Sequence, residues 1–260
     1  MNTTLVTIKD LTVSVKDGNQ KKYLIEQINF DIIQEHIVSL VGESGSGKTT
    51  TALCLGRLLS LALTIESGKI IFNGQDFLTL TEKQLQQFRG AEIGFIFQEP
   101  LYAFNPLLTI GFQIEEVLIA HSDRNRKQRQ SRVLELLDMV RISDPMRVFR
   151  SYPHQLSGGM RQRAMIAQAI AASPKLIIAD EPTSNLDVTL QAEIIELFQE
   201  LNQKLHLAIL LITHDLGLVR HLSDDLVVMK SGRIVEKGRT KDVLAMPRHS
   251  YTQELLEATH

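Results

Sequence analysis

Two glycines five positions apart, followed by a lysine and a hydroxyl residue, occur in Gly42-Glu43-Ser44-Gly45-Ser46-Gly47-Lys48-Thr49. The flanks constrain the fold as much as the letters do. Ile37-Val38-Ser39-Leu40-Val41 is an apolar run of strand length, and Thr50 to Leu59 has the composition of a helix with few breakers. The order strand, loop, helix turns successive backbone N–H groups inward as a concave nest at a helix N-terminus, where the helix dipole adds partial positive charge. Such a nest suits a polyphosphate. Lys48 supplies a full charge for the β- and γ-phosphates and Thr49 a hydroxyl for a Mg²⁺ ion, with Thr50 in the same first turn. A Gly/Ser-rich turn that merely caps a helix is the competing reading, and it does not require every fixed position to be filled between these flanks.

At 260 residues the chain suits one large domain, or a core with an inserted lobe, and buries a substantial core. Hydrophobic residues at 43% and charged residues at 22% are ordinary for a globular protein, which argues against disorder and against a membrane-embedded composition. Lys+Arg number 28 against Asp+Glu 30, so no global basic field recommends a nucleic acid as partner. The single cysteine, Cys54, falls in the helix after the glycine loop and is expected to be a packing residue in a reducing compartment. Met1 to Asp10 lacks the basic-then-apolar order of a signal peptide, and no apolar run approaches the roughly 20 residues that span a bilayer. A cytoplasmic location is therefore expected, with any membrane role exercised through a partner.

Leu5 to Ile8, Leu11 to Val15 and Ile28 to Ile32 alternate as strands do, with a turn signal at Asp17-Gly18-Asn19. With Gly68 to Gly74 they predict a small antiparallel sheet. From about 98 to 172 the pattern turns helical, with Val133, Leu136, Leu137 and Val140 on one face, and this segment is expected to be an inserted helical lobe. Leu176 to Asp180 and Leu207 to Ile212 are buried strands separated by an amphipathic helix through Ile194, Leu197, Phe198 and Leu201. Strands alternating with helices imply a parallel sheet covered on both faces. Residues 1–97 and 173–260 would then form the core and 98–172 the lobe. A hairpin across Ser231-Gly232 joins Leu226 to Met229 with Arg233 to Glu236. The basic run Arg124 to Arg132 is the solvated start of a helix, or else a surface for lipid headgroups or an acidic partner.

Asp180-Glu181 closes an apolar strand, where open parallel sheets place ligand-binding groups. Asp180 suits the Mg²⁺ that Thr49 touches, and Glu181 suits the orientation and deprotonation of a water attacking the γ-phosphate. Two acids in a solvated loop would be the bland alternative. Ser157-Gly158-Gly159-Met160 precedes a run from Arg161 to Ala172 without glycine or proline, which marks a second helix N-terminus. Two anion-binding helix starts serving one nucleotide are most simply explained by two chains, each completing the other's site.

Gly42 to Thr49, Gln98, Leu156-Ser157-Gly158-Gly159-Met160, Leu176 to Glu181, Ser184 to Asp187 and His214, in that order, resemble the ATP-binding cassette ATPases over nearly the whole chain. Tyr152 to Arg163, Ala179 to Thr183 and Pro247-Arg248-His249-Ser250-Tyr251-Thr252 are similar to the peptide/nickel importer branch. The resemblance implies an α/β fold of the P-loop NTPase type, a RecA-like parallel-sheet core carrying an N-terminal antiparallel β subdomain and an inserted α-helical subdomain. It also implies ATP and Mg²⁺ as cofactors. Gln98 takes the role of the glutamine that reaches metal and water, and Glu99 to Pro106 then lies near the coupling helix of a membrane subunit. His214 takes that of the switch histidine at the γ-phosphate, and Asp187 lies in the loop that communicates across the dimer. The implied partners are a second cassette, identical or paralogous and head to tail, two transmembrane permeases and, indirectly, an extracytoplasmic substrate-binding protein. The implied location is the cytoplasmic face of the inner membrane.

Three positions depart from the family pattern. Val15 stands where many cassettes place an aromatic under adenine, with Tyr23 the nearby alternative; Met160 replaces a glutamine; and His249-Ser250-Tyr251 lacks the usual proline between His and Tyr. The chain ends at His260 without the longer tail of some relatives, which predicts no regulation through such a tail. An exporter ATPase fits the same motifs. A soluble cassette protein acting on DNA or ribosomes usually carries a coiled-coil insertion or a second fused cassette, and a P-loop kinase has no use for Ser157-Gly158-Gly159 with His214. Peptides, nickel or another chelated metal are the candidate cargoes.

Overall fold

The computed structural model describes residues 3–18 and 20–258. Met1 and Asn2 of the leader reading, Asn19 of the turn signal and the chain end at His260 lie outside the described residues. The chain divides into two compact units, Met1–Leu85 with His206–His260, and Gln86–Leu205.

The first unit opens with β1 (Thr4–Asp17) and β2 (Gln20–Ile33), continues through β3 (Ile37–Val41) and α1 (Lys48–Leu55), and returns in β4 (Leu63–Phe72) and the short β5 (Gln75–Asp76). β1 pairs antiparallel with both β2 and β4, so that Val6 faces Ile32 on one side and Phe72 on the other. The two short strands expected over residues 5–15 are therefore one. Asp10, at φ 48°, interrupts the register, and its N–H donates to Asn29 Oδ1 at 3.0 Å instead of to the ladder. Leu5, Val6, Ile8, Leu11 and Val13 are all buried.

The second unit holds β6 (Ile93–Ile96) and β7 (Leu176–Asp180), a parallel pair in which Ile93 faces Leu176 and Ile96 faces Ala179. The helices after β6 carry their own start signals. Thr109 caps 110–121, an Asn125/Gln128 capping box opens Arg126–Met139, Asp144 caps Pro145–Arg150, and Ser157 caps Gly158–Ala169. Two of the five cations of the basic run are used within its own helix pair: Arg129 Nε bonds the buried Glu115 carboxylate at 3.0 Å and Arg132 bonds Glu135 at 3.2 Å. The unit closes with the amphipathic helix Val188–Leu205, whose buried face is Ile194, Leu197, Phe198 and Leu201.

The chain then returns to the first unit in β8 (Ala208–Thr213), β9 (Asp225–Lys230) and β10 (Arg233–Arg239). β3 lies between β8 and β9 and is parallel to both, with Ser39 facing Leu211 and Leu226. Every residue of β3 and β8 is buried, which accounts for their continuous apolar runs. β10 turns back antiparallel on β9 through Ser231 and Gly232 at φ 47° and 80°, the paired positive angles of a type I′ turn. α1 is shorter than the stretch to Leu59 expected for it. It stops at Gly56 because Arg57 swings to φ 50° and spends its guanidinium on the carbonyls of Phe77, Leu78 and Leu80.

Candidate functional site

The glycine loop leaves the C-terminal end of β3 and feeds directly into α1. Its conformation depends on missing side chains at two points. A Cβ on Gly42 would meet the Met229 carbonyl oxygen at 2.1 Å, and one on Gly47, at φ 104°, would meet the Leu24 carbonyl oxygen at 2.9 Å. The β9–β10 turn braces the loop from behind, since Gly232 N–H donates to Ser46 O at 3.0 Å. Glu43, Ser44 and Gly45 are exposed at its crest, whereas Lys48 is only 6% exposed. Lys48 Nζ donates to Gly42 O at 2.7 Å and to Glu43 O at 2.9 Å, which curls the loop over the ammonium. Ser46 Oγ is buried without a hydrogen-bond partner among the described residues. No side chain caps α1, so the N–H groups of its first turn, including those of Thr49 and Thr50, have no intrahelical acceptor. A concave, uncapped helix start beside a buried cation is built for an anion. In the same unit, exposed His214 follows the last residue of β8, and the next residue, Asp215, caps the following helix through Gly217 N–H at 2.7 Å.

In the second unit Asp180 ends β7, and Glu181 turns into the left-handed region at φ 45°. A glutamate in that region carries strain of about 1 kcal/mol, a cost typical of functional turns. Gln98, just past β6, donates from Nε2 to Glu181 Oε2 at 3.4 Å, and Asn185 Nδ2 donates to Glu99 Oε1 at 3.0 Å. Two bonds therefore tie the segment after β6 to the turn after β7. Asp187 caps Val188–Leu205 by accepting from Leu190 N–H at 3.0 Å. Ser157 and Gly158 stand apart from these groups at an exposed helix start, where Ser157 Oγ accepts from Met160 N–H at 3.4 Å. Gly159 is buried against Leu190, but a Cβ on Gly158 would meet nothing within 4 Å.

Several features had no signal in the sequence. The Asn185–Glu99 bond joins residues 86 apart, and Tyr251 reaches Glu43 N–H at 2.8 Å across 208. Neither spacing follows a local rule. Tyr23, weighed for base stacking, is 49% exposed on β2 opposite Ser14. Cys54 is buried, and burial pushes its thiol up to about 12, so it is inert at neutral pH.

A nest between a parallel strand and a helix, with an acidic pair closing another parallel strand, defines a P-loop nucleoside-triphosphatase. More narrowly, residues 25–184 match the model of the ABC transporter family, and the chain belongs to that family. It is 45% identical to the dipeptide transport ATP-binding protein DppD of Escherichia coli, over 98% of this chain and 78% of that protein. Identity is 44% with the oligopeptide transport ATP-binding protein OppD of Bacillus subtilis, over 98% and 71%. It is 47% identical to the peptidoglycan transport ATP-binding protein YejF of Agrobacterium fabrum, of which it spans only 47%, about half the length. Among solved structures it superimposes with a TM-score of 0.81 and 30% identity on the ATP-binding cassette MJ0796, determined as a dimer in a post-hydrolysis state with ADP and Pi. That match covers 90% of this chain and 98% of the other. The fold is that of the cassette ATPases, with the antiparallel β subdomain at the N-terminus.

Proposed function

We propose that this chain is the ATP-hydrolysing subunit of an ABC importer that powers peptide uptake through separate membrane subunits. The observation that carries the proposal is the phosphate loop itself: an uncapped helix start curled around the buried Lys48, in a chain that also holds Gln98 against Glu181. Peptide is the cargo class supported by the relatives in E. coli and B. subtilis.

In this reading the loop from Gly42 to Thr50 wraps the β- and γ-phosphates of ATP, its amides not already bonded inside the chain and the Lys48 ammonium making the contacts, while the Glu43 N–H stays on Tyr251. Glu181 orients the attacking water and takes its proton, Gln98 holds Glu181 and the water in register, and His214 contacts the γ-phosphate. Phosphoryl transfer needs little covalent help, so these contributions are mostly positioning and charge neutralisation. The Thr49 hydroxyl, the Gln98 amide oxygen and the Asp180 carboxylate are hard oxygen donors, one of them anionic. That set suits Mg²⁺, which keeps several waters and takes few protein ligands; when bound it neutralises phosphate charge. Among the described residues no cluster of three or more His, Cys, Asp or Glu offers a competing site for a softer metal.

Ser157, Gly158 and Gly159 are assigned to the nucleotide of a second cassette, in a head-to-tail dimer. The open space around Gly158 supports this, because among the described residues nothing within 4 Å of a Cβ there requires a glycine. No helix among the described residues is long and apolar enough to cross a membrane. The proposal assigns the permeases to separate chains and this subunit to the cytoplasmic face, as the names of the transport ATP-binding relatives suggest. Replacing Glu181 with glutamine keeps shape and hydrogen bonding but removes the base. Phosphate release should fall at least 100-fold while ATP binding persists. Wild-type turnover in that variant would remove Glu181 from its role, and unchanged ATP affinity in Lys48→Ala would count against the loop assignment.

A further inference from the structure

The proposed function leaves the late segment Pro247 to Thr252 without a task, yet one of its side chains reaches the phosphate loop. Tyr251, in the helix Ser250–Glu257, is 5% exposed and belongs to the same buried cluster as Val41, Val219 and Val228, with Lys230 Nζ 4.3 Å from its ring centre. Its hydroxyl oxygen accepts the N–H of Glu43 at 2.8 Å. That N–H belongs to the peptide unit between Gly42 and Glu43. The oxygen of the same unit accepts from Lys48 Nζ at 2.7 Å. N–H and C=O of a trans peptide point in opposite directions, so the bond that holds the N–H toward the tail also holds the oxygen toward the ammonium. Gly42, at φ 154° and without a Cβ, has no side chain to fix this peptide plane, which makes an external tether consequential.

The tail is itself held in place. Tyr251 N–H donates to His249 Nδ1 at 3.1 Å, and the N–H groups of Arg248 and His249 donate to the Glu236 carboxylate on β10 at 2.9 and 3.1 Å. A continuous set of bonds thus runs from β10 through the tail to the loop.

Resting on the nucleotide-binding reading above, we propose that Tyr251 is a positioning residue: its hydroxyl fixes the Gly42–Glu43 peptide, and through it the Lys48 ammonium, so that the tail sets nucleotide affinity. Tyr251→Phe keeps the packed ring and removes only the hydroxyl. Titration with Mg·ATP should show affinity about fivefold weaker than wild type, the scale of one hydrogen bond. Hydrogen exchange at the Glu43 amide should quicken. In a Lys48→Ala background, titrated into the millimolar range, the same substitution should change affinity by less than twofold. Equal fold losses in both backgrounds, or wild-type affinity in Tyr251→Phe, would overturn the inference and leave the ATPase reading intact. A wild-type chain that bound no ATP would overturn both. If Tyr251→Phe fails to fold, His249→Ala, which frees the Tyr251 N–H, should weaken affinity in the Lys48 background alone, and the absence of that loss counts against the proposal equally.

Discussion

Gly42 and Gly158 are both glycines of the nucleotide motifs, yet they are glycine for opposite reasons. The Cβ of an alanine at 42 would lie 2.1 Å from a strand carbonyl that cannot step aside. Gly42→Ala should therefore destabilise the chain by about 1–3 kcal/mol and lower its thermal midpoint by several degrees. An alanine at 158 meets open space at the first position of a helix, where it is a better helix former than glycine. Gly158→Ala should leave stability within about 0.5 kcal/mol of wild type. Its ATP turnover should nevertheless fall at least tenfold if a neighbouring cassette's phosphates approach that backbone. Calorimetry of the free chain beside a phosphate-release assay separates the two effects. Full turnover in Gly158→Ala would remove that glycine from the proposed interface. The sequence marks both positions as motif glycines, but the distinction between them lies in what surrounds each Cβ.

At the scale of elements, boundaries were legible where a side chain bonds its own neighbourhood. Asn125 with Gln128, and Asp187 with Leu190, both act within three residues, so the caps before Arg126 and Val188 follow from local chemistry. The merging of two short strands into β1 did not follow, because the irregularity at Asp10 is stabilised by Asn29 on the next strand. The same holds for the tail. Its anchor on Glu236 joins residues 12 and 13 positions away on another element. Burial alone would push the Glu236 carboxyl up, but the Thr252 hydroxyl and the amides of Arg248 and His249 outweigh it and hold the group below the usual carboxylate range. A carboxyl with a depressed folded-state pKa contributes stability that is complete above its unfolded value near 4.5 and is lost as pH falls through the lower folded value. The side-chain carboxyl carbon resonance of Glu236 should therefore stay constant at neutral pH and titrate only below about pH 4.5. A titration centred near neutrality would contradict the Glu236 anchor.

For the whole molecule, the proposal makes the assembly state depend on nucleotide. Glu181→Gln with Mg·ATP should sediment as a dimer, and the mass should return to that of one chain when ATP is replaced by ADP. A constant monomer in saturating ATP would refute the shared-site reading. The peptide cargo is tested by purifying the chain with its membrane partners and asking whether peptides, rather than another solute, stimulate phosphate release.

The nest, the acidic pair and the second helix start were legible in the letters alone, because each is a local arrangement of backbone and near neighbours that a short stretch specifies by its own geometry. Folding in three dimensions was needed to bring Gln98 to Glu181, Asn185 to Glu99 and the Tyr251 hydroxyl to the peptide whose oxygen bonds Lys48. Those contacts join residues distant along the chain. Their existence depends on how strands and helices pack, and the spacing of letters carries no record of that.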